Sequence, residues 1–137
     1  MKYIILLVMT LFLVGYTNNT NVIIPGKQVN NYIIGVSTLK EILGQDTAEN
    51  RNNYAKKGLY FQFEQGDKLS GITVTSAEYA TEKGIHVGSS LEEATKAYGK
   101  PKETKMKGRK LDIDVLAYDG IIFMHNNQEI TAIQVNK

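Results

Sequence analysis

Cysteine is absent from the 137-residue sequence, and histidine occurs only twice, as His86 and His125. Without cysteine the chain can form no disulfide, no zinc–thiolate or iron–sulfur site and no thiol nucleophile. Two histidines leave little material for a histidine-rich metal site or for a Ser-His-Asp triad. The composition therefore favours a small binding or structural protein over an enzyme, and it predicts no metal and no cofactor.

A charge excess of either sign is also absent. Sixteen Lys and Arg residues stand against fourteen Asp and Glu residues, which gives a net charge of +2. Dedicated nucleic-acid binders usually carry a clustered basic excess, so nucleic acid is not an expected partner. The length accommodates one domain of ordinary size.

One long apolar run is present, and it lies at the N-terminus. Residues 3–14 follow the single charge of Lys2 and give way to small and polar residues, which is typical of a secretory signal peptide over residues 1–17. The alternative is a buried core helix. Leu13-Val14-Gly15 also matches the start of a bacterial lipobox, with Tyr16 where the lipid-bearing cysteine would stand. We expect a secreted or cell-envelope protein, with either an ordinary signal peptide or a lipoprotein ancestry whose cysteine has been replaced.

Two segments of the chain repeat one short pattern. Residues 34–44 and 87–101 each run from an apolar residue and a glycine through a hydroxyl residue and a helical stretch to a second glycine. The hydroxyl residues fit a capping box at a helix start, and the closing glycines fit a helix end with positive φ. These positions are Thr38 with Glu41, Ser90 with Glu93, and the glycines Gly44 and Gly99.

Each short helix is followed by a predicted β-hairpin. The predicted strands are residues 58–63 with 69–74, and 120–124 with 129–135. A further hairpin, residues 103–107 with 111–118, precedes the second pair, whereas residues 45–53 are predicted as a loop or an irregular helix.

The fold class that these elements predict is α+β. The sheet is expected to be antiparallel and built from two helix–hairpin repeats, with the short helices packed on one face. The single domain is expected to span residues 32–137, with repeats at 32–76 and 85–137, after an N-terminal segment at 18–31.

Strand alternation predicts which side chains form the core under the helices. The predicted set is Leu59, Phe61, Phe63, Ile72, Val74, Ile113, Val115, Ile121, Phe123, Ile133 and Val135.

The repeated pattern carries a resemblance to a known family. Ile24-Pro25-Gly26-Lys27 followed by residues 34–44, and residues 84–94 closing in Tyr98-Gly99-Lys100-Pro101, resemble the SmpA/OmlA (BamE-like) lipoproteins. They also resemble the β-lactamase inhibitory protein, a tandem of such units. The resemblance covers most of residues 22–137, and it implies a tandem-repeat fold and an exported binding role, as an assembly factor or an inhibitor.

The sheet face opposite the helices is the predicted partner-binding site. Polar residues are expected on a solvated face, yet alternation places several aromatic and apolar residues there. This predicted binding set is Tyr60, Leu116, Tyr118, Ile122 and Met124. The partner is expected to be another protein. The alternative is that the N-terminal segment or a longer loop covers this face.

Two further functions fit the sequence less well. Asp112 and Asp114 lie two residues apart on one strand, so a small secreted hydrolase could use the pair, although solubilising charges at a strand edge are the favoured interpretation. A structural envelope lipoprotein is the other possibility.

The chain also contains one basic run, around a predicted hairpin turn. It comprises Lys102, Lys105, Lys107, Arg109 and Lys110. The favoured interpretation is a strand edge protected from aggregation. The alternative is contact with an anionic envelope polymer or lipid head group, which would associate the protein with the envelope or the membrane surface.

Overall fold

Two β-sheets and two short helices make up the described part of the computed structural model, which covers residues 21–44, 54–64 and 66–137. The predicted signal peptide, the lipobox-like residues 13–16 and the predicted loop at 45–53 lie outside these residues. The strands are β1 (Val22–Ile24), β2 (Gln28–Val29), β3 (Tyr32–Ile33), β4 (Tyr54–Lys56), β5 (Leu59–Gln62), β6 (Gly71–Val74), β7 (Ala80–Thr81), β8 (Glu103–Lys107), β9 (Asp112–Tyr118), β10 (Ile121–His125) and β11 (Ile130–Asn136). The helices are α1 (Leu39–Leu43) and α2 (Leu91–Tyr98).

The larger sheet has seven strands in the order β4-β5-β6-β11-β10-β9-β8. Every neighbouring pair is antiparallel. The six hairpin strands predicted from alternation are all present, each within two residues of its predicted bounds. Strand β4 is not predicted by the sequence, and it lies beside β5 as β9 lies beside β10. The α+β class is confirmed.

The smaller sheet has the order β3-β2-β1-β7, with β1 and β7 parallel. Ile23 and Val29 from this sheet are fully buried and belong to the same hydrophobic core as the larger sheet. The Gly26 N–H also donates to the Gly120 carbonyl at 2.9 Å, which joins the β1–β2 turn to the start of β10. Strands β1 and β2, which fall in the predicted N-terminal segment at 18–31, thus contribute to the same core as the residues after 32.

Both helices begin and end at the predicted capping residues. The Glu41 N–H donates to Thr38 Oγ1 at 3.3 Å, and the Thr38 N–H donates to Glu41 Oε2 at 3.2 Å, which completes the capping box. The Ser90 hydroxyl accepts the amide N–H three residues further on, at 3.1 Å. Gly44 and Gly99 end the helices with φ of 69° and 82°. The predicted positive φ is thus confirmed at both glycines.

The core lies between the helices and one face of the larger sheet. Two rows of directly paired side chains cross the sheet on that face, and Leu39, Ile42 and Ala94 of the helices belong to the same core. The rows are Leu59, Val74, Ile133, Phe123 and Leu116, and then Phe61, Ile72, Val135, Ile121 and Tyr118.

Nine of the eleven predicted core residues are buried in this core. Ile113 and Val115 are the exceptions. The pairing of β9 with β10 places both on the opposite face, where Ile113 is 41% exposed. The predicted alternation of β9 is therefore wrong by one residue. A shift of one residue moves every side chain of a strand to the other face of the sheet.

Candidate protein-binding face

The register of the larger sheet defines the face that points away from the helices. Side chains at directly opposed positions share a face, and so do residues two apart on one strand. One such row runs across five strands as Tyr60, Thr73, Gln134, Ile122 and Ala117. We call this side of the sheet the outer face. The neighbouring row includes Ala132, Met124 and Val115.

Three of the five predicted binding residues lie on the outer face. Tyr60 is 41% exposed, and Ile122 and Met124 are half-buried. Tyr60 and Ile122 are separated by β6 and β11, at about 4.8 Å per strand, so roughly 14 Å of sheet lies between them. Polar Thr73 and Gln134 occupy that interval. The predicted single cluster is therefore divided into two separate sites, Tyr60 on β5 and the pair Ile122 and Met124 on β10.

Leu116 and Tyr118 do not lie on the outer face, and their predicted placement is wrong. Leu116 is directly opposite Phe123, and Tyr118 is directly opposite Ile121, so both side chains point toward the helices. Leu116 is only 7% exposed and belongs to the core. The physical reason is again the phase of β9, which only its pairing with β10 decides.

Tyr118 joins the sheet to helix α2. Its ring centroid lies 5.5 Å from that of Tyr98 and 6.0 Å from that of Phe123. Its hydroxyl donates to the Gly99 carbonyl at 2.7 Å, at the C-terminal end of α2. Burial raises the pKa of the Tyr118 hydroxyl above its ordinary value. Tyr118 is therefore a structural residue that holds α2 on the sheet.

Val115 and Ala117 occupy the outer-face positions that the sequence assigned to their neighbours. Both are opposite outer-face residues, Met124 and Ile122 respectively, and both are buried without belonging to the main core. Residues 115–118 are apolar or aromatic without interruption. Alternation over such a run fits either phase, so no periodic signal could have identified Val115 and Ala117.

An apolar patch on the outer face follows from these placements. It extends over β8 to β11, and Ile113 with the directly opposed Met106 continues it to the edge of the sheet. Its members, which we call the outer patch, are Met106, Ile113, Val115, Ala117, Ile122, Met124 and Ala132. Buried or half-buried at its centre, the outer patch becomes exposed only at Ile113.

A polar groove of about 440 Å³ lies beside the other half of the outer face. Gln62, Gly71 and Gln134 contribute to its lining. The Gln62 Nε2 group donates to Thr73 Oγ1 at 2.9 Å, whereas its Oε1 atom is buried and has no hydrogen-bond partner in the described structure. The outer face thus combines an apolar half with a polar half.

Asp114 and His125, two of the residues considered for chemistry, are engaged in local contacts. Asp114 forms an ion pair with Lys105 at 3.2 Å, and Asp112 is exposed opposite Lys107. His125 Nδ1 accepts the N–H of the amide two residues later at 3.1 Å. Among residues 21–44, 54–64 and 66–137, no group of three or more His, Asp or Glu side chains is placed to hold a metal ion.

A likeness in fold emerges from comparison with solved structures. The chain is similar to a DUF4309 family protein, YjgB, from Bacillus subtilis, with a TM-score of 0.53 and 13% sequence identity. The match covers 81% of this chain and 87% of the Bacillus protein. At this identity the likeness concerns the fold alone. No protein-family model and no curated protein sequence matches the chain.

The helices of the described region are short. Neither α1 nor α2 has the length and apolar character that a membrane span needs.

Proposed function

We propose that this chain is an exported, non-enzymatic protein-binding module of the cell envelope, acting as an assembly factor or an inhibitor. The observation that carries the proposal is the outer patch. It collects methionine and aliphatic side chains on a sheet face that neither described helix covers, because both pack into the core on the other side. Methionine-rich apolar surfaces with few charges are typical of protein interfaces.

The two halves of the outer face have different roles in this proposal. The outer patch supplies apolar contact area that is removed from water when a partner binds. Tyr60 supplies a separate aromatic anchor on β5, and aromatic anchors carry a large share of interface energy. The polar groove beside Gln62 accepts polar groups of the partner.

The proposal includes a tandem-repeat origin, and the attachment of each helix to its hairpin supports it. The Gly35 N–H donates to the Leu69 carbonyl at 2.7 Å, and the Leu69 N–H donates to the Ser37 carbonyl at 2.8 Å. In the second unit the Gly88 N–H donates to the Ile130 carbonyl at 2.8 Å, and the Ile130 N–H donates to the Ser89 carbonyl at 2.9 Å.

The strand order supports the same origin. Strands β4-β5-β6 and β9-β10-β11 are arranged as mirror-ordered halves about the central β6–β11 pair, with β8 added at one edge. This is the arrangement expected for duplicated units of the SmpA/OmlA (BamE-like) or β-lactamase inhibitory protein kind, which the sequence resembles.

Photo-cross-linking in the producing bacterium tests the proposal. A photoreactive phenylalanine analogue at Ile122, in the full chain, should give a discrete cross-linked protein product. The same analogue at Val36, a 63% exposed residue outside the larger sheet, is the matched control and should give none. Tyr60→Ala should reduce the yield from Ile122 by about tenfold, which corresponds to the loss of one aromatic anchor.

The result that would overturn the proposal is equally direct. The analogue at Ile122 could give the same cross-linked products as the analogue at Val36, or it could give none in the producing bacterium. Either result would show that the outer face contacts no specific protein. Hydrolysis of a substrate by the parent chain, abolished in Asp112→Asn, would instead support the hydrolase alternative.

A further inference from the structure

The hairpin of β8 and β9 ends the larger sheet and carries the basic run at its turn. Strand β8 is an edge strand, and four of its five residues are exposed. The Gly108 N–H donates to the Leu111 carbonyl at 3.1 Å, which closes the four-residue connection. We call residues 107–111 the hairpin tip.

A large aliphatic side chain is exposed to solvent at the hairpin tip. Leu111 is 81% exposed, the highest exposure of any large hydrophobic residue in the described structure. Ile113, two residues further along, is 41% exposed. An exposed leucine at a turn contributes nothing to the core, and an exposed aliphatic side chain of this size is a candidate contact with a binding surface.

The charges of the hairpin tip are all positive. Lys107, Arg109 and Lys110 are its ionisable residues. Lys105 is neutralised by Asp114, and Lys107 lies opposite Asp112 on the neighbouring strand. Neither Arg109 nor Lys110 has an ion-pair partner in the part of the chain that the structure describes.

Protection of a sheet edge explains only part of this arrangement. Lysines on β8 itself oppose pairing with another chain, and Lys105 and Lys107 fit that role. Arg109, Lys110 and Leu111 lie in the turn, beyond the paired strands, where no edge needs protection. A protein interface fits less well, since two of the three cations of the hairpin tip are lysines, which are depleted from protein interfaces.

We propose that the hairpin tip binds an anionic lipid bilayer. Leu111 enters the boundary between head groups and acyl chains, and Lys107, Arg109 and Lys110 contact the lipid phosphates around it. A protruding aliphatic residue ringed by flexible cations fits a fluid, negatively charged surface, because binding there combines apolar burial with electrostatic attraction. The outer face then remains free for a protein partner.

The absence of cysteine makes a direct test possible, because a single introduced cysteine can be labelled uniquely. The full chain with Leu111→Cys carries an environment-sensitive nitrobenzoxadiazole dye. On vesicles of equal parts phosphatidylglycerol and phosphatidylcholine, its emission should rise several-fold and shift to the blue. On phosphatidylcholine vesicles it should not. The matched control, Val36→Cys with the same dye, should stay water-exposed on both, even if another part of the chain brings the protein to the vesicle.

Charge variants distinguish the effect of the tip's own cations on lipid binding from the effect of the protein's net charge. Lys107→Gln, Arg109→Gln and Lys110→Gln together should lower the ratio of buried to exposed dye on the order of 100-fold, at about fivefold for each cation. The control triple Lys68→Gln, Lys96→Gln and Lys100→Gln removes the same charge from exposed positions away from the tip and should change the ratio little.

An apolar variant tests the role of Leu111 itself. With the dye at Lys110→Cys, adding Leu111→Ser should lower the buried fraction about tenfold, because the aliphatic side chain no longer enters the bilayer. Val36→Ser in the same labelled chain should leave it unchanged.

Three results would overturn the proposal. The dye at position 111 could remain water-exposed on anionic vesicles, or the control triple could reduce its burial as much as the tip triple. The third is an equal blue shift with soluble inorganic polyphosphate alone. That outcome would identify a polyanion site in place of a lipid-binding tip.

Discussion

Tyr118 shows how one residue's role depends on the face it occupies. On the outer face it would be a binding residue, and its removal would affect only partner capture. On the helix side Tyr118 contacts Tyr98 and Phe123 and hydrogen-bonds to Gly99. Its removal should therefore lower the stability of the folded domain.

Tyr118→Ala should therefore lower the free energy of unfolding by roughly 2 kcal/mol, somewhat less than the cost of truncating a fully buried aromatic residue, because Tyr118 is half-buried. Tyr60→Ala should change it by no more than about 0.5 kcal/mol, because Tyr60 is exposed on the outer face. Urea unfolding of the two variants and the parent chain measures both values. Equal losses at the two tyrosines would contradict the register described for β9 and β10.

The hydroxyl of Tyr118 gives a prediction in alkaline solution. Burial raises its pKa in the folded protein above the ordinary value near 10. The folded state then holds this proton more tightly than the unfolded chain, so the stability from Tyr118 is fully present below pH 10 and is lost as the pH rises beyond it.

Tyr118→Phe should make the fall in stability above pH 10 less steep and should cost about 1 kcal/mol at neutral pH, for the lost hydrogen bond to Gly99. Thermal melts from neutral to alkaline pH measure the two effects together. Tyr60→Phe serves as the control for removal of an exposed phenol. An unchanged alkaline slope in Tyr118→Phe would assign the slope to other groups, including Tyr98 and Tyr79, whose pKa values are also raised by burial.

At the scale of elements, the two helix ends differ although both use glycine. Gly44 has φ 69° and ψ 12°, the left-handed helical conformation that asparagine also tolerates. Gly99 has φ 82° and ψ −154°, a region that is essentially restricted to glycine. A Cβ at either position would meet open space, so the cost of substitution comes from the backbone alone.

Gly44→Ala should cost about 1–2 kcal/mol and Gly99→Ala roughly 1–3 kcal/mol. Gly44→Asn should recover most of its loss, whereas Gly99→Asn should recover little. Denaturant unfolding of the four variants checks the ranking. Stabilisation by either alanine, or full rescue of Gly99 by asparagine, would mean that the helix ends adopt other conformations.

Element prediction succeeded where local signals were strong. Local sequence signals predict the helix ends. The caps at Thr38 and Ser90 depend on nearby hydrogen bonds, and the two helix-ending glycines depend on the local backbone conformation. The hairpin strands alternate clearly. Strand β9 is different because its apolar run at 115–118 fits two phases, and its pairing with β10 decides between them. Two of the predicted binding residues fall in that run, which is why the candidate site was less predictable than the strands.

The whole molecule contains features that no local pattern encodes. Strands β1, β2, β3 and β7 have two or three residues each, too few for a period to be recognised. The parallel pairing of β1 with β7 places Ile23 opposite Thr81, two residues that are far apart in the sequence. Such pairings depend on the assembled core, so neither the smaller sheet nor its contribution to the core could be predicted.

Export is a property of the whole chain. Because the N-terminal apolar run ends at Val14, the mature protein should begin between residues 16 and 21. N-terminal sequencing of the secreted or envelope-bound protein measures this directly. An intact Met1 on a cytosolic product would contradict export.

Tyr16→Cys distinguishes the two origins of that N-terminal segment. If residues 13–16 descend from a lipobox, the new thiol should accept lipid and move the protein permanently into the membrane fraction, while Tyr16→Ser should not. The proposed binding through the hairpin tip would be electrostatic in large part, so high salt should release unlipidated protein from membranes. A lipid anchor is insensitive to salt. Resistance of the Tyr16→Cys protein, but not of Tyr16→Ser, to a salt wash would establish the lipobox ancestry, and release of both would favour an ordinary signal peptide.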